Sequence, residues 1–158
     1  MKTKPLFTTT LLMAMLLIGS TAMAKVDISQ AALGGIPMGA PMSYVRSIYG
    51  EPDRTESKHA YKTTVYDYYY GKGVHIMGTD RANVIDVTAN NGWATPAGVT
   101  VGMDESIITQ IYGPADHTRK SGSKTYYEYQ PAPHGGPAIM IFGVKNGKIT
   151  SISVGNAG

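Results

Sequence analysis

A nineteen-residue stretch, GIPMGAPMSYVRSIYGEPD from Gly35 to Asp53, returns as GVTVGMDESIITQIYGPAD from Gly98 to Asp116. Seven of the nineteen aligned pairs are identical, and Ile36/Val99, Met38/Val101 and Val45/Ile108 are conservative exchanges. A second match follows, IMGTDRANV from Ile76 to Val84 against IFGVKNGKI from Ile141 to Ile149. A unit of about 63 residues thus occurs twice, which predicts a tandem of two like modules in place of one irregular domain. The expected boundaries are a lead-in over 25–34, a first module over 35–89, a linker over 90–97 and a second module over 98–158.

The first residues carry a different signal. Lys2 and Lys4 precede an apolar run from Leu11 to Ile18, and Ala22-Met23-Ala24 offers the small residues a signal peptidase reads. The run is far short of the roughly 20 apolar residues that span a bilayer, so a cleaved signal over 1–24 is expected, with export to the periplasm or the medium. Lys2 and Lys4 leave with that segment. The formal charge of +3 for the whole chain then falls close to neutral, too weak a field for a general nucleic-acid binder. Cysteine is absent, which excludes thiol nucleophiles, thiolate metal sites and disulfide bracing. Stability must come from packing.

Each copy reads as a short helix followed by strands. Pro41 suits the start of a helix, Val45, Ile48 and Tyr49 fall on one stripe, and Gly50 stops it. The second copy uses Asp104 as cap, Ile108, Ile111 and Tyr112 as stripe, and Gly113 as stop. Helices of two to three turns do not persist alone, so each needs a sheet beneath it. Segments 61–70 and 124–130, rich in Tyr, Thr and Val, read as strands. So do 74–78, 84–89, 138–144 and 149–154, the last two joined by the hairpin signal Asn146-Gly147. The predicted fold class is α+β, a tandem duplication of a short helix packed on a three-stranded antiparallel sheet.

Alternation along the strands assigns faces. Tyr66, Tyr68, Val74, Ile76 and Val87 are expected under the first helix, and Tyr127, Tyr129, Ile139, Ile141 and Ile152 under the second. The opposite face is then predicted to carry Tyr61, Asp67, Tyr69, His75, Met77 and Asp86 in one module, and Tyr126, Glu128, Met140, Phe142 and Ser151 in the other. Tyrosine offers large, rigid contact area with a polar tip, and paired apolar side chains on an open sheet call for a cover. A protein-contact surface is therefore expected on Tyr61, Asp67, Tyr69, His75, Met77, Tyr126, Glu128, Met140 and Phe142. Two basic stretches, Arg54, Lys58, Lys62 and Arg119, Lys120, Lys124, read as loops that offer electrostatic contact to an acidic partner or to anionic envelope components.

The Gly-Ile/Val-x-Met/Val-Gly entry and the Ile-Tyr-Gly helix ending with proline close behind rest on Gly35, Ile36, Gly39, Val45, Tyr49, Gly50 and Pro52, and again on Gly98, Val99, Gly102, Ile108, Tyr112, Gly113 and Pro114. This pattern resembles the repeat of the beta-lactamase inhibitory protein superfamily, and is similar to the small outer-membrane assembly module of the BamE and SmpA/OmlA type. The resemblance implies a non-enzymatic, protein-binding fold whose two sheets join edge to edge and present a concave surface.

No metal or cofactor site is expected. His59, His75, His117 and His134 sit in no metal-spaced motif, and no Ser lies in GxSxG. Trp93, in the linker, is expected to pack one module on the other. The sequence thus points to an exported, non-enzymatic binding module that recognises a protein partner. The alternatives are an envelope assembly factor, or a cell-wall carbohydrate enzyme in which Asp67 and Glu128 act as acid and base.

Overall fold

Two helices form where the Ile-Tyr-Gly endings put them, α1 at Met42–Tyr49 and α2 at Ser106–Tyr112. Pro41 stands just ahead of α1, where its missing N–H costs nothing, and its carbonyl accepts from the amides of Tyr44 and Val45. At α2 the Asp104 carboxylate accepts the Ser106 N–H at 3.1 Å. Gly50 and Gly113, at φ 77° and 75°, end the helices with their amides turned back to Arg46 and Thr109. A side chain would strain that backbone. The computed structural model describes residues 25–60, 62–132 and 138–156, so the expected signal segment, Tyr61 and His134 lie outside the described residues.

A short hairpin, β1 at Ala32–Leu33 and β2 at Ile36–Pro37, precedes α1. The first half continues with β3 (Arg54–Ala60), β4 (Thr63–Tyr70), β5 (Val74–Gly78) and β6 (Val84–Val87). After α2 come β7 (His117–Ser121), β8 (Lys124–Tyr129), β9 (Ala138–Lys145) and β10 (Lys148–Asn156). The eight strands from β3 to β10 make one antiparallel sheet in the order β3-β4-β5-β6-β10-β9-β8-β7. The halves meet where β10 pairs with β6, Ile152 opposite Val87 and Val154 opposite Ile85.

Each half therefore supplies four strands to a continuous sheet, a correction to the expected three-stranded unit. The strands missing from the sequence reading, β3 and β7, are the two edges. Every residue of both is exposed, so they carry no apolar alternation, and of the residues read as basic loops Arg54, Lys58, Arg119 and Lys120 lie on these edge strands, while Lys62 sits in the turn after β3 and Lys124 begins β8. Charge on an edge discourages pairing with another chain. The Asn146-Gly147 turn between β9 and β10 forms as its sequence predicts, with φ of 53° and 70°.

Both helices lie on one face of the sheet. Met42 and Val45 from α1 and Ile108 from α2 share a core cluster with Tyr68, Ile76, Ile85, Val87, Tyr129, Met140, Phe142, Ile152 and Val154. Here the second half corrects the expected faces. Met140 and Phe142, expected on the outer side, are buried to 0% exposure beneath α2, whereas Ile139 and Ile141 point outward and are partly exposed. The match of Ile76-x-Gly78 to Ile141-x-Gly143 had put this strand one residue out of phase. In the sheet, Phe142 opposes Tyr127 and Met140 opposes Tyr129, as Ile76 opposes Tyr68 and Val74 opposes Tyr70. A strand has a side-chain period of two, so a slip of one residue exchanges its faces.

The segments ahead of each half cross to the other. Ile28 donates to the Ala132 carbonyl and Ala132 donates back to Val26, both at 2.7 Å, which ties the lead-in to the second half. Trp93 of the linker packs on the first, stacked on Tyr49 with ring centroids 4.5 Å apart. Gly34 makes room for it: a Cβ there would lie 2.5 Å from the indole ring. The Tyr49 hydroxyl donates to the Gly34 carbonyl at 2.6 Å and closes the arrangement.

Candidate functional site

The sheet face away from the helices bears the alternate side chains of all eight strands. Cross-strand pairing lines up Arg54, Tyr69, His75, Asp86, Ser153, Ile141, Glu128 and His117 as one row, edge to edge. Beside it run Glu56, Asp67, Met77, Val84, Gly155 and Ile139, and in the second half Arg119, Tyr126, Gly143 and Ser151. Tyr69, His75, Met77, Val84, Asp86, Tyr126, Glu128, Ile139, Ile141, Ser151 and Ser153 are all partly exposed. The face is thus an open, mixed surface of aromatic, apolar and charged groups.

Near each edge of this face an arginine lies over a tyrosine. The Arg54 guanidinium sits 3.9 Å from the ring centroid of Tyr69, its directly paired neighbour, and Arg119 sits 4.2 Å above Tyr126, likewise paired with it. Both arginines also hold a carboxylate, Arg54 that of Glu56 and Arg119 that of Glu128. Such stacks fix long side chains and keep the tyrosine ring flat on the sheet. On the far side of Tyr69 lies the His75 ring, 5.0 Å away at 23°, so three planar groups overlap across β3, β4 and β5.

Asp67 departs from expectation. It lies on the open face, as alternation requires, yet is 1% exposed. Lys58 Nζ approaches its Oδ2 to 2.7 Å, an ion pair off the ideal hydrogen-bond direction, and His75 Nε2 lies 2.7 Å from Oδ1. His75 Nδ1 lies 3.3 Å from Asp86 Oδ2. The chain Lys58, Asp67, His75, Asp86 therefore crosses four strands. The Lys58 ammonium, aided by the His75 bond and opposed by burial, holds the Asp67 carboxyl below the usual aspartate range. Asp67 in turn pushes Lys58 upward.

Of the nine contact residues expected from sequence, Asp67, Tyr69, His75, Met77, Tyr126 and Glu128 share this face, Met140 and Phe142 are core, and Tyr61 is outside the described residues. Arg54 and Lys58, expected in a basic loop, also lie on this face, as do Ile139 and Ile141, expected under the second helix, and Val84 and Ser153, which no sequence pattern singled out. The spacing of Arg54, Glu56 and Lys58 at every second residue was the available signal for the edge strand. Asp67 and Glu128 do not converge: β4 and β8 are five strand spacings apart, roughly 24 Å along the sheet at ~4.8 Å per strand. A glycosidase pair needs its carboxylates within about 10 Å. Among the described residues no three His, Asp or Glu side chains group as a metal site would require. Nor is any helix there long and apolar enough to cross a membrane.

No protein-family model matches the chain, and no curated protein matches it. Among solved structures, a cysteine-rich secretory protein from Staphylococcus aureus overlaps 84% of this chain and 50% of its own at 12% identity and a TM-score of 0.53, so the chain spans half its length. The uncharacterized protein yfeY from Escherichia coli overlaps 82% of this chain and 98% of its own, at 18% identity and a TM-score of 0.49. A suggested beta-lactamase inhibitor protein from Streptococcus mutans overlaps 82% and 89%, at 15% identity and a TM-score of 0.33. The overlap with the Staphylococcus aureus protein is one of fold.

Proposed function

We propose that this chain is an exported, non-enzymatic binding module that recognises a protein partner through the open face of its sheet. In this reading two copies of one helix-and-sheet unit, over 35–89 and 98–158, derive from a tandem duplication in a fold of the beta-lactamase inhibitory type. The observation that carries the function is the row from Arg54 to His117 across all eight strands, with an arginine-on-tyrosine stack near each end. Interfaces concentrate energy in a few aromatic and arginine anchors, and this face holds both, pre-positioned, around an apolar middle of Met77, Val84, Ile139 and Ile141.

Capture from an envelope extract by the immobilised protein, with partners identified by mass spectrometry, tests the reading. Tyr69→Ala combined with Tyr126→Ala is expected to abolish capture while the thermal midpoint moves little, because both rings are partly exposed. Capture that survives the double substitution would move the contact surface elsewhere.

A further inference from the structure

At the end of α1, on the helix side of the sheet, a cleft of about 320 Å³ is lined by Tyr49, Glu51, Asp53, Tyr70, Lys72 and Trp93 among others. Its wall is aromatic. Tyr49 stacks on Trp93 and leans toward Tyr70 at 6.4 Å, yet remains 38% exposed. Two carboxylates stand beside the rings. Asp53 accepts the Gly71 N–H through Oδ2 at 2.5 Å, which leaves Oδ1 for another donor. Glu51 holds Arg46 through Oε2 at 3.0 Å and is otherwise open to solvent.

A separate observation points to a ligand here. Tyr70 is 6% exposed, and its hydroxyl has no hydrogen-bond partner among the described residues. Buried hydroxyls are seldom left so, because the lost hydration is not replaced. Besides the exposed Lys72, whose carbonyl accepts from Asn91 Nδ2, the cleft offers lone pairs and ring faces: carboxylate oxygens, a phenol oxygen and the face of Tyr49. Their chemical complement is a positive group that carries N–H donors.

We infer that this cleft binds an organic cation, a primary ammonium or guanidinium group, held against Tyr49 with Asp53 and Glu51 as counter-charges. The second half supplies an internal parallel. The matching cleft at the end of α2, about 380 Å³, is lined by Tyr112, Asp116 and Tyr129, and Lys25 of the chain itself lies along it. A cation thus already borders a tyrosine-and-aspartate cleft of this design.

Trp93 is the sole tryptophan, so its emission reports on this cleft alone. The purified protein would be titrated with N-acetylarginine amide, standing for a protein side chain, and separately with putrescine, standing for a free amine. A saturable change in Trp93 emission is expected, and the tighter probe identifies the source of the cation. Asp53→Asn with Glu51→Gln is expected to weaken binding at least tenfold, and Asn at position 53 keeps an oxygen for the Gly71 amide. Should the double variant unfold, Asp53→Asn alone serves, with at least a threefold loss expected. The inference is overturned by no saturable response to either cation, by unchanged affinity in the charge-removed variant, or by a response confined to N-acetylglucosamine oligomers. Substitutions on the open face, such as Tyr69→Ala, should leave the titration unchanged, which separates this site from the protein-contact surface.

Discussion

The two helix ends use one set of residue types and finish differently. After α2, Tyr129 is buried, its hydroxyl donates to the Gly113 carbonyl at 2.8 Å, and Tyr112 donates to Thr95 Oγ1 at 2.7 Å. Burial pushes the Tyr129 phenol up to about 12. After α1, Tyr70 takes the corresponding place at the end of its strand, also buried, with its hydroxyl unpaired among the described residues. In both halves an aspartate anchors the same corner, Asp53 to the Gly71 amide and Asp116 to the Gln130 amide. Both helix ends border a cleft, but in the second half the Tyr112 and Tyr129 hydroxyls are paired, while the first retains an unspent polar atom beside its cleft. The difference teaches that the shared framework is structural, and that departures from it mark where chemistry is to be sought.

The hardest test of the comparison is packing. Phe142→Ala beneath α2 removes a fully buried ring and is expected to cost on the order of 3–5 kcal/mol, while Ile141→Ala, its neighbour on the open face, costs about 1 kcal/mol or less. Denaturant midpoints in the reverse order would invert the faces of β9.

The acids of the open face come next. Asp67→Ala strips partners from Lys58 and His75 and is expected to cost about 1–3 kcal/mol, since the aspartate is buried but Lys58 is solvated. Glu128→Ala breaks a pair with Arg119, whose guanidinium is more than half exposed, and should cost about 1 kcal/mol or less. Equal losses would mean that the Asp67 network contributes no more than a surface ion pair.

The tyrosine hydroxyls give a smaller and sharper contrast. Tyr129→Phe leaves the Gly113 carbonyl without its donor and should cost about 1 kcal/mol, whereas Tyr70→Phe removes an unpaired hydroxyl and should be neutral or slightly stabilising. Thermal or urea unfolding of the two variants decides it. Destabilisation by Tyr70→Phe would mean that this hydroxyl has a partner in solution.

The least effect is the pH dependence of Asp67. Its folded-state pKa is depressed, so the unfolded chain binds the proton more readily. Its contribution is present above the ordinary carboxyl value of 3.8 and is lost as pH falls through the lower folded value. Stability of the native chain minus that of Asp67→Asn, measured by urea unfolding between pH 6 and pH 2.5, should shrink toward the acid end. A difference that grows on acidification would reverse the sign of the shift.

The helices were legible because Val45, Ile48 and Tyr49, or Ile108, Ile111 and Tyr112, lie on one stripe closed by glycine. Even so, Ile48 and Ile111 remain more than 40% exposed, since a single turn of contact suffices to seat each helix. Strands β4 and β5 were legible through alternation against one buried face. The edges β3 and β7 were not, because an edge bounded by water has no apolar period to read. Phase in β9 failed for another reason: Ala-Ile-Met-Ile-Phe is apolar at every position, so alternation carries no information there and only the pairing partners fix the face. The Lys58 to Asp67 contact joins strands whose pairing alone brings them together, and Asp67 looked like an ordinary solvent-facing acid until its neighbours were in place.

The last of the described strands in chain order, β10, occupies the middle of the sheet. Among the described residues it is the sole bond between the halves within that sheet, pairing β9 on one side and β6 on the other. Before Lys148–Asn156 is available, the first four strands end in an open apolar flank at β6, and β7 to β9 end in another at β9. A chain emerging N-terminus first therefore holds two unfinished sheets until Lys148–Asn156 arrives, and then closes both with one insertion. Deleting Lys148–Asn156 does not trim a margin; it removes the keystone.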